Sequence, residues 1–167
     1  LAYSELVKCF CEAYDPATAK DKLGVVLVDT YFGEKPNSRA TLEKSYEFII
    51  SDLLEAERLL DEDNDYYSAV YFTKAAANAI HARVALYMQD WDAAIEYSTK
   101  LIDDNAYALS TAASYTSGTS PITGQSKVYT YIDYMWTNDL STEVIWQVEY
   151  TLTSYGGALG QSFLNFN

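Results

Sequence analysis

Leu42, Tyr46, Ile49, Leu53, Ala56 and Leu60 recur in steps of four and three. That rhythm puts them on one side of a helix as a continuous apolar stripe. Thr41 stands where an N-cap belongs, and Glu43 places a carboxylate in the first turn, where the helix dipole favours it. Lys44 occupies the position of the capping-box acid, so the full box is absent. The acidic run Asp61-Glu62-Asp63-Asn64-Asp65 then breaks the pattern. A helix over 41–60 is the clearest element of the chain.

Three more helices are expected around it. Residues 1–14 are amphipathic and should end at Asp15-Pro16, because a residue before proline avoids the α region. Residues 73–88, with Thr73 as N-cap, are rich in alanine, which lets a neighbouring helix approach closely; Ile80, Val84 and Tyr87 supply bulk. Residues 91 to about 103 follow, with Ala94, Ile95, Ser98, Leu101 and Ile102 expected to face inward. Gln89-Asp90 is too short a link for anything but antiparallel neighbours. Helices 1–14 and 41–60 form one pair and 73–88 and 91–103 another, with tetratricopeptide-like spacing only in the second.

The connecting regions are loop-rich. Within 15–40, Gly24-Val25-Val26-Leu27-Val28 reads as a short buried extended segment. Residues 110–126, rich in Ser, Thr and Gly, read as a surface loop. Over 143–150, Val144, Trp146, Val148 and Tyr150 alternate with Glu143, Gln147 and Glu149, a strand pattern. The expected fold is therefore mostly α: antiparallel helix pairs of tetratricopeptide type, long loops and a short β segment near 143–150. One domain over 1–167 suits the length, with a helical-repeat part over about 1–104 and a loop and strand flank over 105–167. Starting inside a helix at Leu1 and stopping after Phe163, Leu164 and Phe166, the chain reads as a segment of a larger protein.

Composition narrows the function. The formal net charge is −13, which repels phosphate backbones and anionic membrane surfaces and disfavours nucleic-acid binding. No stretch approaches the roughly 20 apolar residues of a membrane helix. With 16 Tyr, 6 Phe and 3 Trp, the chain is too aromatic for general disorder.

Signatures of catalysis fail in turn. Gly118-Thr119-Ser120-Pro121-Ile122 lacks the closing glycine of a nucleophile elbow, and Gly156-Gly157-Ala158-Leu159-Gly160 lacks dinucleotide spacing. Asp61, Asp63 and Asp65 open like a calcium loop, but Tyr66 and Phe72 stand where a glycine and a bidentate Glu are needed. Cys9 and Cys11 point to different faces of a helix and are expected as small buried residues rather than a disulfide. The single histidine, His81, is expected to be a satisfied structural residue, and no acid/base pair stands out. No enzyme activity, metal or cofactor is expected. Arg83, among alanines, should pair with Asp52 or Glu55 of the preceding long helix and lock the two together. Trp91 reads as a packing anchor. Tyr129, Tyr131, Tyr134 and Trp136 offer flat apolar faces with polar tips, the chemistry of a carbohydrate platform.

Several stretches resemble the SusD/RagB family. They are Arg39-Ala40-Thr41-Leu42 with Tyr46, Ile49 and Asp52-Leu53-Leu54-Glu55-Ala56, and Phe72-Thr73-Lys74-Ala75-Ala76-Ala77 with Ala82-Arg83-Val84-Ala85-Leu86-Tyr87. Asp90-Trp91-Asp92-Ala93-Ala94 and Ser141-Thr142-Glu143-Val144-Ile145-Trp146-Gln147-Val148 continue the likeness in order, and Leu1-Ala2-Tyr3-Ser4-Glu5-Leu6-Val7 looks like the end of a preceding family helix. The resemblance implies a SusD-like α/α scaffold and a lipid-anchored receptor at the outer membrane and cell surface of Bacteroidetes. Such a receptor captures oligo- or polysaccharides, sometimes peptides, and associates with a TonB-dependent transporter. The anchor would lie outside this segment. The resemblance also makes the helical pairs the transporter-facing scaffold, with Arg83 and Asp90-Trp91 structural. No site residue transfers by motif; position and chemistry make Tyr131, Tyr134, Trp136 and Tyr155 the expected ligand set. The alternative is a tetratricopeptide-like scaffold that binds only protein, whose acidic surface would favour basic partners.

Overall fold

The computed structural model describes residues 1–29, 31, 38–60, 69–104, 106–109 and 143–147, and the backbone of a hairpin over 115–119 and 126–130. Helices α1 (Ala2–Phe10), α2 (Leu42–Leu59), α3 (Lys74–Met88) and α4 (Trp91–Asp104) pack in chain order, each against the next.

Capping follows the sequence closely. Thr41 accepts from the Lys44 amide and Thr73 from the Ala76 amide, so both predicted N-caps form. Asp90 takes the same role for α4, accepting from the Ala93 amide at 3.1 Å. The α3–α4 turn depends on Gln89, the one non-glycine residue with positive φ among those described (φ 61°). Its side-chain amide donates to the Tyr14 carbonyl at 2.8 Å, which holds that left-handed turn against the chain following α1.

The first helix is shorter than its pattern. It ends at Phe10, with Cys11 extended, before Pro16 can act. Arg39 explains the early stop: its guanidinium donates to the carbonyls of Phe10 and Leu23, at 3.3 and 3.2 Å, and also to that of Gly24. One side chain thus satisfies the freed C-terminal carbonyl of α1 and grips the extended segment. Asp15-Pro16 instead starts a turn, with the Asp15 carboxylate accepting from the Ala17 amide (2.9 Å) and the Thr18 hydroxyl (3.1 Å). Those bonds hold the Asp15 carboxyl below its usual pKa.

The segment after Leu23 is extended, as expected, and pinned along the start of α2. The Gly24 amide donates to Ala40 O (2.8 Å) and the Ala40 amide to Val25 O (2.9 Å). Buried Ser45 donates to Thr41 O at 2.9 Å and accepts from the Val25 amide at 3.1 Å. A Cβ on Gly24 would lie 2.5 Å from the Thr41 carbonyl oxygen, so this close approach needs glycine. The Tyr3 hydroxyl closes the far end, donating to Val28 O and accepting from the Val28 amide.

The core gathers Val7, Ala19, Val25, Leu42, Tyr46, Ile49, Leu53, Ile80 and Val84. Leu42, Tyr46, Ile49 and Leu53 are buried as the stripe requires, while Ala56 and Leu60 are half-buried. Helix α3 is central: nine of its 15 residues are buried, because its alanines admit neighbours on two sides.

Three expectations need correction. Ile95 and Ile102 are 65% and 71% exposed, and only Ala94 and Tyr97 of α4 are buried, so the inward face is rotated from the expected one. Residues 115–119, within the stretch 110–126 expected as loop, pair antiparallel with 126–130, Tyr115 opposite Thr130 and Thr119 opposite Ser126. Residues 143–147 form no ladder; the strand pattern there serves docking instead. The Gln147 amide donates to Ala69 O at 3.0 Å, and Trp146 meets Phe72 edge-on at 5.4 Å. Residues 148–150 lie outside the described residues.

Candidate functional site

Among the described residues, two recesses large enough for a small molecule lie along α3. The first, about 350 Å³, is lined by Glu57 of α2, by Lys74, Ala75 and Asn78 of α3, and by Lys100, Leu101 and Asp104 of α4. Its polar wall is a network. Lys100 donates to Glu57 at 2.9 Å and lies 3.3 Å from a Glu96 oxygen, with its ammonium 4.0 Å from the Tyr97 ring centre. The Tyr97 hydroxyl donates to the other Glu57 oxygen at 3.5 Å. Burial alone would depress Lys100, but its bonds to Glu57 and Glu96 prevail and raise its pKa. Burial, then the Glu57 carboxylate, raises Tyr97.

Behind this wall His81 stacks on Tyr97, ring centres 3.6 Å apart. His81 is 5% exposed and burial lowers its pKa. Among the described residues its Nδ1 has no hydrogen-bond partner, nor has Oδ1 of Asn78, which is 8% exposed. The expectation of a satisfied histidine is thus corrected: the close-packed alanine helix and the Tyr97 ring enclose the imidazole, and no polar group among the described residues bonds to Nδ1. The signal for this site was the Asn78/His81 spacing of three inside an alanine-rich helix.

The second recess, about 200 Å³, lies between α3 and the 143–147 segment and is lined by Ala76, Ala79, Ile80, Arg83, Ile145 and Trp146.

The predicted residues fall as follows. Arg83 pairs with Glu5 of α1, at 3.7 Å, in place of Asp52 or Glu55. Its position turns it toward α1, and Glu55 is held within its own helix by Arg58 at 2.6 Å. The pair is half-exposed, not buried. Asp52 lies exposed on α2. Trp91 opens α4 at 59% exposure and does not anchor packing among the described residues. Cys11 is half-buried, whereas Cys9 is exposed, because Ser4 and Val7 take the inner face of α1 and Cys9, two positions on from Val7, falls on the outer one; both are free thiols. Tyr131, Tyr134, Trp136 and Tyr155, and the Asp61–Asp65 run, lie outside the described residues. Among the described residues no three His, Cys, Asp or Glu side chains are placed to hold a metal ion, and no helix is long and apolar enough to cross a membrane.

Comparison with known proteins adds the following. Residues 1–86 match the model of a SusD-like family described as starch-binding and associating with the outer membrane. A SusD superfamily protein from Bacteroides vulgatus is similar at 34% identity and TM-score 0.54, over 63% of this chain and 24% of its own. One from Bacteroides thetaiotaomicron is similar in fold, at 24% identity and TM-score 0.60, over 80% of this chain and 26% of its own. A SusD-like carbohydrate binding protein from Bacteroides vulgatus shares the fold at 22% identity and TM-score 0.52, over 65% of this chain and 23% of its own. The chain thus spans about a quarter of the length of these structures. No curated protein matches it.

Proposed function

The chain belongs to the SusD-like family, and from that premise we propose that it is a non-catalytic part of a glycan-capturing receptor at the outer membrane. The observation that carries this reading is the family match over residues 1–86, with its starch-binding description. In the proposed mechanism Tyr131, Tyr134, Trp136 and Tyr155 present aromatic faces to sugar rings, and polar groups of neighbouring loops fix the hydroxyls. The helical pairs hold a TonB-dependent transporter, and a lipid anchor outside this segment tethers the whole to the membrane.

Binding of the full chain to a panel of neutral oligosaccharides, starting with maltoheptaose, tests it by calorimetry. Saturable heat that falls at least tenfold in affinity with Trp136→Ala and Tyr131→Ala is expected. Binding unchanged in both variants would remove the aromatic set; no binding across the panel would remove the carbohydrate reading for this chain.

One observation favours the scaffold reading beside it. Trp91, Ile95 and Ile102 form an exposed apolar row on α4, and Asp92, Glu96 and Asp103 follow each in turn, making an acidic row alongside. Such a face suits a basic, amphipathic partner, and its binding should weaken as salt is raised.

A further inference from the structure

We infer that the cleft between α2, α3 and α4 is itself a sugar site, distinct from the aromatic set, taking a short neutral saccharide against Asn78. This deepens the carbohydrate reading above and rests on it.

The cleft's charges balance. Lys74 and Lys100 stand against Glu57 and Asp104, so the described lining carries no net charge to attract an ion. What it offers is donors and acceptors in close alternation, with Ala75 and Leu101 as an apolar wall. A sugar ring presents the same alternation along its hydroxyl edge and C–H groups on its face. At about 350 Å³ the cleft is at the small end of ligand sites, which suits one or two rings rather than a long chain.

Asn78 supplies the specific contact. It lines the cleft, it is more than nine-tenths buried, and its Oδ1 has no partner. An orphaned buried acceptor carries a desolvation cost that an incoming hydroxyl donor removes. His81, one helical turn on, has an orphaned ring nitrogen. The last torsion of an asparagine is broad and roughly two-fold, so the Asn78 amide has a second orientation with Oδ1 and NH₂ exchanged. In the proposed complex that second orientation sets Oδ1 on a sugar hydroxyl and turns the NH₂ toward Nδ1 of His81, one helical turn away. Both orphaned atoms then gain partners in one movement, provided His81 is neutral, which its burial favours.

The test is a nitrogen-15 NMR titration of the full chain with maltose, cellobiose, xylobiose and mannobiose, with galacturonate as the anionic control. Saturable shifts are expected at the Asn78 side-chain amide, at the Ala75 and Leu101 amides, and at the His81 ring nitrogens, with none of these for galacturonate. Asn78→Leu should abolish those shifts or weaken them at least tenfold without lowering Tm. Leu101→Trp, which fills the cleft and leaves Asn78 in place, should do the same and decides the matter if Asn78→Leu fails to fold. Disaccharide binding that shifts only residues elsewhere overturns this inference and leaves the carbohydrate reading standing. No binding of any neutral saccharide overturns both.

Discussion

Helices α2 and α4 both carry apolar rows, yet only one row is buried. In α2 the residues Leu42, Tyr46, Ile49 and Leu53 enter the core. In α4 Trp91, Ile95 and Ile102 face outward, and the helix packs through Ala94 and Tyr97. The difference lies in the neighbours. The α2 row has the extended segment, α1 and α3 to cover it. The two-residue turn at Gln89-Asp90 sets α4 down on α3 at a rotation fixed by small residues and by the His81–Tyr97 stack. Periodicity tells how a row is spaced; it does not tell what lies opposite.

The comparison can be broken most easily in α2. Leu42→Ala, at a fully buried position, should cost about 3 kcal/mol of stability in denaturant unfolding; a cost under about 1 kcal/mol would mean the α2 row is not the core. Gly24→Ala, which drives a methyl into the Thr41 carbonyl, should cost on the order of 1–3 kcal/mol. Thr41→Ala removes the α2 cap and should cost about 1 kcal/mol, while Thr41→Asn should retain most of it.

Acid should weaken the packing of α3 against α4 at His81. His81 has its pKa lowered by burial, so the unfolded chain binds its proton more readily than the folded one. Stability is full at pH above the unfolded value of 6.5 and declines as pH falls below it toward the lowered folded value. Tm followed from pH 7.5 to 5 should show that decline, and His81→Gln should flatten it; an equal slope in both proteins would assign the effect to carboxylates.

The smallest effects belong to the outer face of α4. Ile95→Ala and Ile102→Ala should each change stability by no more than about 0.5 kcal/mol. A cost above about 2 kcal/mol in either would show that the row is covered in solution, and the contrast with α2 would disappear.

Much of the scaffold was legible because its signals are local. Thr41 and Thr73 cap the helices they precede, and the stripe on α2 needs only its own spacing. The Arg39-Ala40-Thr41-Leu42 stretch is similar to the family in sequence, but its physical task shows only in three dimensions, where Arg39 reaches the carbonyls of Phe10, Leu23 and Gly24. The site was less legible. Asn78 and His81 look like two polar interruptions of an alanine helix until α4 closes over them and leaves two buried atoms without partners. Arg83 was expected on α2 and found on Glu5, because a long side chain can reach several helices and only their rotation selects one.

Sequence alone determined where the helices lie, where α2 and α3 begin, that Gly24 to Val28 is extended, and that the chain is strongly acidic. These are properties of spacing, caps and charge, each set within a few residues or summed over all of them. Tertiary structure decided which faces are covered, where α1 stops, that 143–147 docks on Phe72 instead of joining a sheet, and which polar atoms are left enclosed. Those depend on contacts between residues far apart in the chain, which periodicity cannot specify.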